Sequence, residues 1–304
     1  MHTSEAAPVS PEARVAQRGA PWPLVIAAAA GIALLWVERK RSLRHQPERL
    51  DGHDGERVVT NLVMAGLSAA VTHLAMTPVV APLSVWVERR RVGLAQRLPV
   101  ATWLQDAVAV VLLDYTLYVW HVLEHRVPWL YRFHQVHHAD LTLDTTTALR
   151  FHFGEFLLST PWRAAQVVVI GASPRAMRVW QQLTMLSVLF HHSNARLPLP
   201  LERLLAYLVV TPRLHGIHHS LVVEEQDSNW SSGLTVWDRL HGTYRANVPQ
   251  DDIEIGVAAY RQPADVTLAR SLAMPLTSPA RELPGDSRER ARAAPAARVA
   301  ELLA

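Results

Sequence analysis

Apolar positions fall in long blocks along this chain, and the polar residues between the blocks are unevenly distributed. The first block, "PLVIAAAAGIALLWV" (Pro23 to Val37), is closed by the dense basic stretch "ERKRSLRHQPER". A late apolar run that meets a basic stop rather than a small-residue cleavage site predicts a membrane helix, not a signal peptide. Its basic side is expected in the cytoplasm, with the N-terminus outside. The second block, Val58 to Val87, is long enough to cross once and predicts a break at Pro78 and Pro82. A third runs from Val100 to about Trp120 and returns the chain to the cytoplasm by helix parity. "ERRR" at Glu88 to Arg91 then falls on the outer side, against the positive-inside tendency. From Phe156 to Phe190 the chain is again apolar, interrupted by "GASP" at Gly171 to Pro174. Two helices of about fifteen residues are short for a roughly 30 Å hydrocarbon core, so a hairpin entering and leaving on one side is expected.

These elements make an all-α, multi-pass membrane bundle. Residues 1–20 and 278–304, rich in Ala and Pro with no apolar period, are expected to be flexible tails around one domain over 21–277.

Composition narrows the chemistry. The chain has no cysteine, which excludes disulfides, thiolate nucleophiles and thiolate-ligated metal. Its net charge of +3 comes from scattered arginines with no basic stripe interleaved with aromatics, so nucleic acid is not an expected partner.

Histidine changes the picture most. Of 16 histidines, those between His121 and His219 cluster with repeating spacing. His121 and His125 are i, i+4. His134, His137 and His138 are i, i+3, i+4, and His215, His218 and His219 repeat that pattern. On a helix each set projects from one face, where neutral imidazoles can converge on a metal. These are too many for one tetrahedral ion, which implies two. Imidazole without thiolate suits iron, zinc or copper, and an apolar membrane setting favours redox-active iron. At 100° per residue Asp114, Tyr118, His121 and His125 fall at about 0°, 40°, −20° and 20°, one polar stripe on an apolar helix. A carboxylate there is expected to orient a metal-bound imidazole, with Tyr118 beside it.

The chain resembles the membrane fatty acid hydroxylase and sterol desaturase superfamily from about Arg49 to Leu276. The resemblance is carried by "DYTLYVWHVLEH", "WLYRFHQVHH", "TALRFHFGE", "FHHSN", "TPRLHGIHHS" and "WDRLHGTY", in that order. It implies a helical membrane bundle with a cytosol-facing, histidine-rich cap. This cap would hold two iron ions and use dioxygen to hydroxylate or desaturate a lipid, with electrons from a separate redox protein. Carried over by position, the implied ligands are His121, His125, His134, His137, His138, His192, His215, His218 and His219. His152 is a further ligand or a group behind one, with Arg150 and Glu155 completing its segment, and His191 is incidental. Phe153, Asn229 to Ser231 and His241 depart from the usual pattern without removing a ligand. Two other readings stand beside this one. "HVLEH" matches a metallopeptidase pattern with Glu124 as base, and a metal-binding or transport protein would use the same imidazoles without chemistry.

Overall fold

The computed structural model describes residues 22–45 and 53–277. The expected tails over 1–20 and 278–304 lie outside the described residues. Five long helical segments run between two ends of a bundle. They are α1 (Trp22–Lys40), then α2 (Asp54–Val71) leading into α3 (Thr77–Arg90), α4 (Thr102–Arg126), and, after a short helix α5 (Pro128–His138), α6 (Phe153–Ile170) and α7 (Pro174–His192). Short helices α8 (Leu199–Leu205), α9 (Pro212–His218) and α10 (Val236–His241), with α11 (Leu268–Thr277), join α5 in a cap. Among the described residues β-structure is limited to isolated bridges such as Ser42 with Ala195.

The break expected at Pro78 and Pro82 does not occur. The helix runs on unbroken from Asp54 through both prolines to Arg90, and the stretch Asp54–Arg97, like Thr102–Arg126, is long and apolar enough to cross a membrane. Proline removes a backbone donor and crowds the preceding turn. Here a π-helical turn at Thr72–Met76 precedes the first proline, and Thr77 satisfies the Thr72 carbonyl through both its N–H and its hydroxyl (2.9 Å). Pro78 then sits in the first turn of α3, where its missing N–H costs little.

The turn expected at Gly171 to Pro174 is present, but α6 and α7 have 18 and 19 residues. At 1.5 Å per residue each spans about 27–28 Å, close to a full hydrocarbon thickness. The extra length comes from the polar ends, because the helices continue through Glu155 and through His191 and His192. Length therefore does not separate a hairpin from two crossings.

Large apolar side chains point outward along the long segments: Ile32 and Trp36 of α1, Val59 and Leu62 of α2, Leu74 of the π-helical turn, and Trp103 and Val111 of α4. The core away from the histidines is built from Val80, Val87, Ala109, Leu113, Val167, Met177 and Trp180. At that end Gly93 and Gly171 adopt φ of 90° and 81°, and their backbones meet so closely that a Cβ on Gly93 would lie 2.3 Å from Gly171 N.

At the opposite end the C-termini of α1, α4 and α7 meet the N-termini of α2 and α6. Glu38 of α1 accepts from Thr145 N and Oγ1 (3.2 and 3.0 Å) and from Asn194 N (2.8 Å). Arg57 of α2 donates to Asp140 (3.0 Å) and pairs with Asp144, while Asn61 donates to Asp140 (3.1 Å). Burial pushes the Asp140 carboxyl up, but the Arg57 and Arg150 guanidiniums outweigh it and hold it below the usual range. Arg150, fully buried, donates to Val136 O, Asn61, Val266 O and Ser271 (2.9, 3.0, 3.2 and 2.7 Å). One side chain thus ties α5, α2 and α11 together beneath the cap.

Candidate metal centre

Each histidine pair or triplet occupies the end of a helix, where a kink or cap aims it at the others. α4 ends in His121 and His125. Val127 is extended, and Pro128 starts α5 at its first turn, folding His134, His137 and His138 back over α4. α7 delivers His192 in its last turn, and α9 delivers His215 and His218, with His219 at its C-cap.

Nine imidazoles sort into two groups, each with its ligand-type nitrogens within 4.8 Å of one another. One holds His121, His125, His134, His138 and His218; the other holds His137, His192, His215 and His219. The i, i+3, i+4 triplets do not each serve one group. α5 sends His134 and His138 to the first and His137 to the second, while α9 sends His218 to the first and His215 and His219 to the second.

The hydrogen bonds indicate what the groups are shaped to hold. His121 Nδ1 donates to Trp230 O (2.7 Å), and His134 Nδ1 faces Glu155 Oε2 (3.3 Å). Their Nε2 atoms therefore both carry lone pairs, yet lie 3.1 Å apart. His137 Nδ1 faces Arg150 O (3.3 Å) and His192 Nδ1 donates to Val188 O (2.8 Å), with the two Nε2 atoms 2.9 Å apart. Opposed lone pairs at such distances repel unless a cation lies between them. Four nitrogens at about 2.1 Å from an ion are about 3.0 to 3.4 Å apart, which is the spacing seen. His218 donates from Nδ1 to Ser228 O (2.9 Å), leaving a buried Nε2 with no hydrogen-bond partner. Orienting the far nitrogen of a ligand by a carbonyl or carboxylate is how proteins fix its tautomer. The donor set fits two ions of the imidazole-preferring kind.

Burial first, and the surrounding imidazoles second, depress proton affinity at His137, His138, His215, His218 and His219 well below the ordinary histidine value. They are held neutral, the form that binds metal.

The other expected site residues lie elsewhere. Asp114 Oδ2 accepts from Leu234 N (3.1 Å) and Trp237 Nε1 (2.7 Å), bracing the segment ahead of α10 rather than an imidazole. The Tyr118 hydroxyl lies 3.2 Å from Thr243 Oγ1. His152 caps α6, its Nδ1 accepting from Gly154 N (3.0 Å) and its Nε2 facing Leu272 O (3.3 Å), and it belongs to neither group. His191 is buried with its ring 4.0 Å from that of His215, also outside both groups. His241, at a position where an aromatic is expected, stacks on Tyr118 and Tyr115 as an aromatic ring would (5.1 and 5.8 Å).

The residues that reach the imidazoles from behind are Glu155, 3.3 Å from His134, Glu124, 3.8 Å from it, and Asp227, 4.0 Å from His125 Nδ1. Asp238 acts one step further out. It accepts from Trp230 N (2.9 Å) and Ser231 N (3.0 Å), fixing the carbonyl that holds His121. Asn229 adopts a left-handed φ of 52° at the same bend, and its side chain bonds Leu214 O and Arg245 O (2.9 and 2.7 Å). Periodicity gave no sign of Asp238 or Asn229; a carboxylate and an amide inside an aromatic-rich segment were the available signal.

The Fatty acid hydroxylase family model matches residues 107–243, which include all nine grouped histidines. The chain is 31% identical over 155 residues to an ornithine lipid hydroxylase of Rhizobium tropici, covering 50% of this chain and 45% of that protein. It is 34% identical over 170 residues to a cholesterol 25-hydroxylase-like protein of Danio rerio, covering 53% and 65%. An alkylglycerol monooxygenase of Xenopus tropicalis is 29% identical over 161 residues, covering 53% and 34%. The chain therefore spans about half the length of the relatives it matches. No solved structure matches it.

Proposed function

We propose that the chain is a member of the fatty acid hydroxylase and sterol desaturase superfamily and, from that premise, a membrane-bound, diiron lipid hydroxylase. The observation that carries this reading is the pair of histidine groups, in which Nε2 lone pairs face one another at 2.9 to 3.1 Å behind tethered Nδ1 atoms. Hydroxylation is favoured over desaturation because the three relatives are named as hydroxylases or a monooxygenase.

His121, His125, His134, His138 and His218 would hold one iron, and His137, His192, His215 and His219 the other. With ferrous iron bound, such a centre supplies the dioxygen-reducing and hydrogen-abstracting chemistry that an unactivated C–H bond requires. The chain contributes geometry and exclusion of water. Trp230 O, Arg150 O, Val188 O and Ser228 O hold four imidazoles in one tautomer, so little reorganisation accompanies turnover. Glu155 and Glu124, buried against His134, would orient its ring from the Nδ1 side. Phe151 stacks on His137 at 4.2 Å and closes the second group from that side. Asp114 is a positioning residue that fixes Leu234 and Trp237, and through that segment the bend carrying Trp230. His152 acts as a helix cap that ties α6 to α11.

The substrate is a lipid reached from the bilayer, and the electrons come from a separate redox protein, since the chain carries no dinucleotide fingerprint. The histidine end faces the cytoplasm, by parity from the basic stop after α1. A hydrolase built on "HVLEH" uses His121 and His125 and leaves the four-histidine group unexplained.

The test is comparative lipidomics under labelled dioxygen, in membranes carrying the wild-type chain or His137→Ala. One lipid class should gain a single labelled oxygen atom with the wild type only. Iron-replete membranes in which no lipid acquires oxygen from dioxygen would refute the assignment.

A further inference from the structure

Four aromatic rings lead away from the five-histidine group toward the surface. Trp230 lies 6.3 Å from His125 by ring centroids, and Tyr118 lies 6.5 Å from Trp230, edge-on. Tyr115 is stacked 6.4 Å beyond Tyr118, and exposed His241 stacks on Tyr118 at 5.1 Å. Trp230 and Thr243 also line an open cavity of about 390 Å3.

The polar contacts along this column are directional. Thr243 Oγ1 donates its single proton to Asp238 Oδ1 (2.7 Å), so at the 3.2 Å contact the Tyr118 hydroxyl must be the donor to Thr243. The result is a proton wire that, at rest, points from a phenol to a buried carboxylate. Burial raises the proton affinity of Asp238, as an acceptor needs. Packing alone does not require the wire, because a stacked column is equally well made with phenylalanine.

We propose that Trp230, Tyr118, Thr243 and Asp238 form a drain that discharges the metal centre when its oxidant meets no substrate. This rests on the oxygenase reading above. When dioxygen is reduced at a centre that holds no C–H bond, the Trp230 indole, 6.3 Å from His125, would supply one electron toward it. Tyr118 refills Trp230 with one electron and releases its phenolic proton to Thr243, which passes its own proton to the Asp238 carboxylate. One electron has then moved toward the metal centre, Tyr118 is left as a neutral radical and Asp238 is protonated; a second passage, after Tyr118 has been restored, supplies the second electron needed to discharge an oxidant of two equivalents. A thiolate or similar one-electron reductant at the surface, where Tyr115 and exposed His241 stack on Tyr118, restores Tyr118, and the proton returns from Asp238 through Thr243. Without the drain the oxidant attacks the nearest rings, Trp230 and the imidazoles.

The test loads the full chain with ferrous iron in detergent, exposes it to dioxygen without lipid, and reads oxygen insertion at each residue by peptide mass spectrometry. A frozen sample is examined for a tyrosyl radical by electron paramagnetic resonance. Wild type should give the radical and little damage. Tyr118→Phe should abolish the radical and raise oxidation of Trp230 and His125 several-fold. Thr243→Val keeps every ring, so it should also raise the damage, which a packing role for Thr243 does not predict. Zinc-loaded protein should show neither radical nor damage. If the iron protein consumes dioxygen while both variants show wild-type damage, the drain is overturned and the oxygenase reading stands. If the iron protein consumes no dioxygen, both fall.

Discussion

Glu155 touches His134 and no other imidazole of either group is braced by it, so its removal should separate the two ions. Glu155→Ala should weaken retention in the five-histidine group by about 10 to 100-fold, the usual effect of losing a partner behind a ligand. The four-histidine group should keep its ion. An equilibrium titration that falls from two ions to one is the expected result, and equal loss of both would contradict the partition. Asp114 makes the opposite prediction. Its carboxylate serves two N–H donors away from the imidazoles, so Asp114→Asn should cost roughly 1–3 kcal/mol of stability while leaving two ions bound. Loss of an ion from the five-histidine group would show that the Trp230 carbonyl holding His121 depends on Asp114 for its place. The helical stripe through Asp114, Tyr118, His121 and His125 is readable from spacing. What the carboxylate touches is not, because Leu234 and Trp237 lie about 120 residues away in the chain.

At the scale of elements, hydropathy outlined the long helices and "GASP" marked the turn between α6 and α7. The prolines misled because a breaker rule assumes fixed i→i−4 bonding, and a π-helical turn relaxes that bonding one step before Pro78. The histidine triplets illustrate a different limit. Spacing places His134, His137 and His138 on one face, but the division of that face between two groups depends on helices 50 to 80 residues downstream. A local test is available at the far end of the bundle. Gly93→Ala meets both a positive φ and the Gly171 backbone at 2.3 Å, so it should destabilise the protein by at least about 1–2 kcal/mol. Thermal unfolding with unchanged metal stoichiometry would show that the damage stays in the core at that end. Glu38 and Arg44, both buried and both outside the segment matched by the family model, carried no periodic signal at all. Their role comes from where α1 docks, against Asn194 and Thr145.

For the whole molecule, acid should be the main stress on the metal-free form. The proton affinities of His137, His138, His215, His218 and His219 are depressed in the folded state. Above about pH 6.5 neither state binds these protons and the stability is intact; below it the unfolded chain takes them up first. Stability should therefore fall as pH drops through that value, by about 1.4 kcal/mol per pH unit for each proton. Bound metal should flatten the loss, since ligation competes with protonation. Melting curves at pH 8 and pH 5, with and without metal, provide the check; a metal-free protein equally stable at both would contradict buried neutral imidazoles. The orientation of the bundle is tested without background, because the chain has no cysteine. Arg132→Cys and Asp251→Cys, both exposed at the histidine end, should be labelled from the cytoplasm, and exposed Arg97→Cys from the other face.

Arg150 reaches Ser271 and Val266 from beneath the cap, while Glu38 waits on Thr145 and Asn194. Read in the order of synthesis, these contacts form a schedule. Glu38 of α1 precedes its partners Thr145 and Asn194 by 107 and 156 residues, and Arg150, already held by Asn61 and Val136 O, lacks its bonds to Val266 O and Ser271 until α11 emerges. All nine grouped imidazoles precede Ser271 in the chain. The last brace beneath the histidine groups is thus the last to be synthesised, and the docking of α11 completes the packing around Arg150.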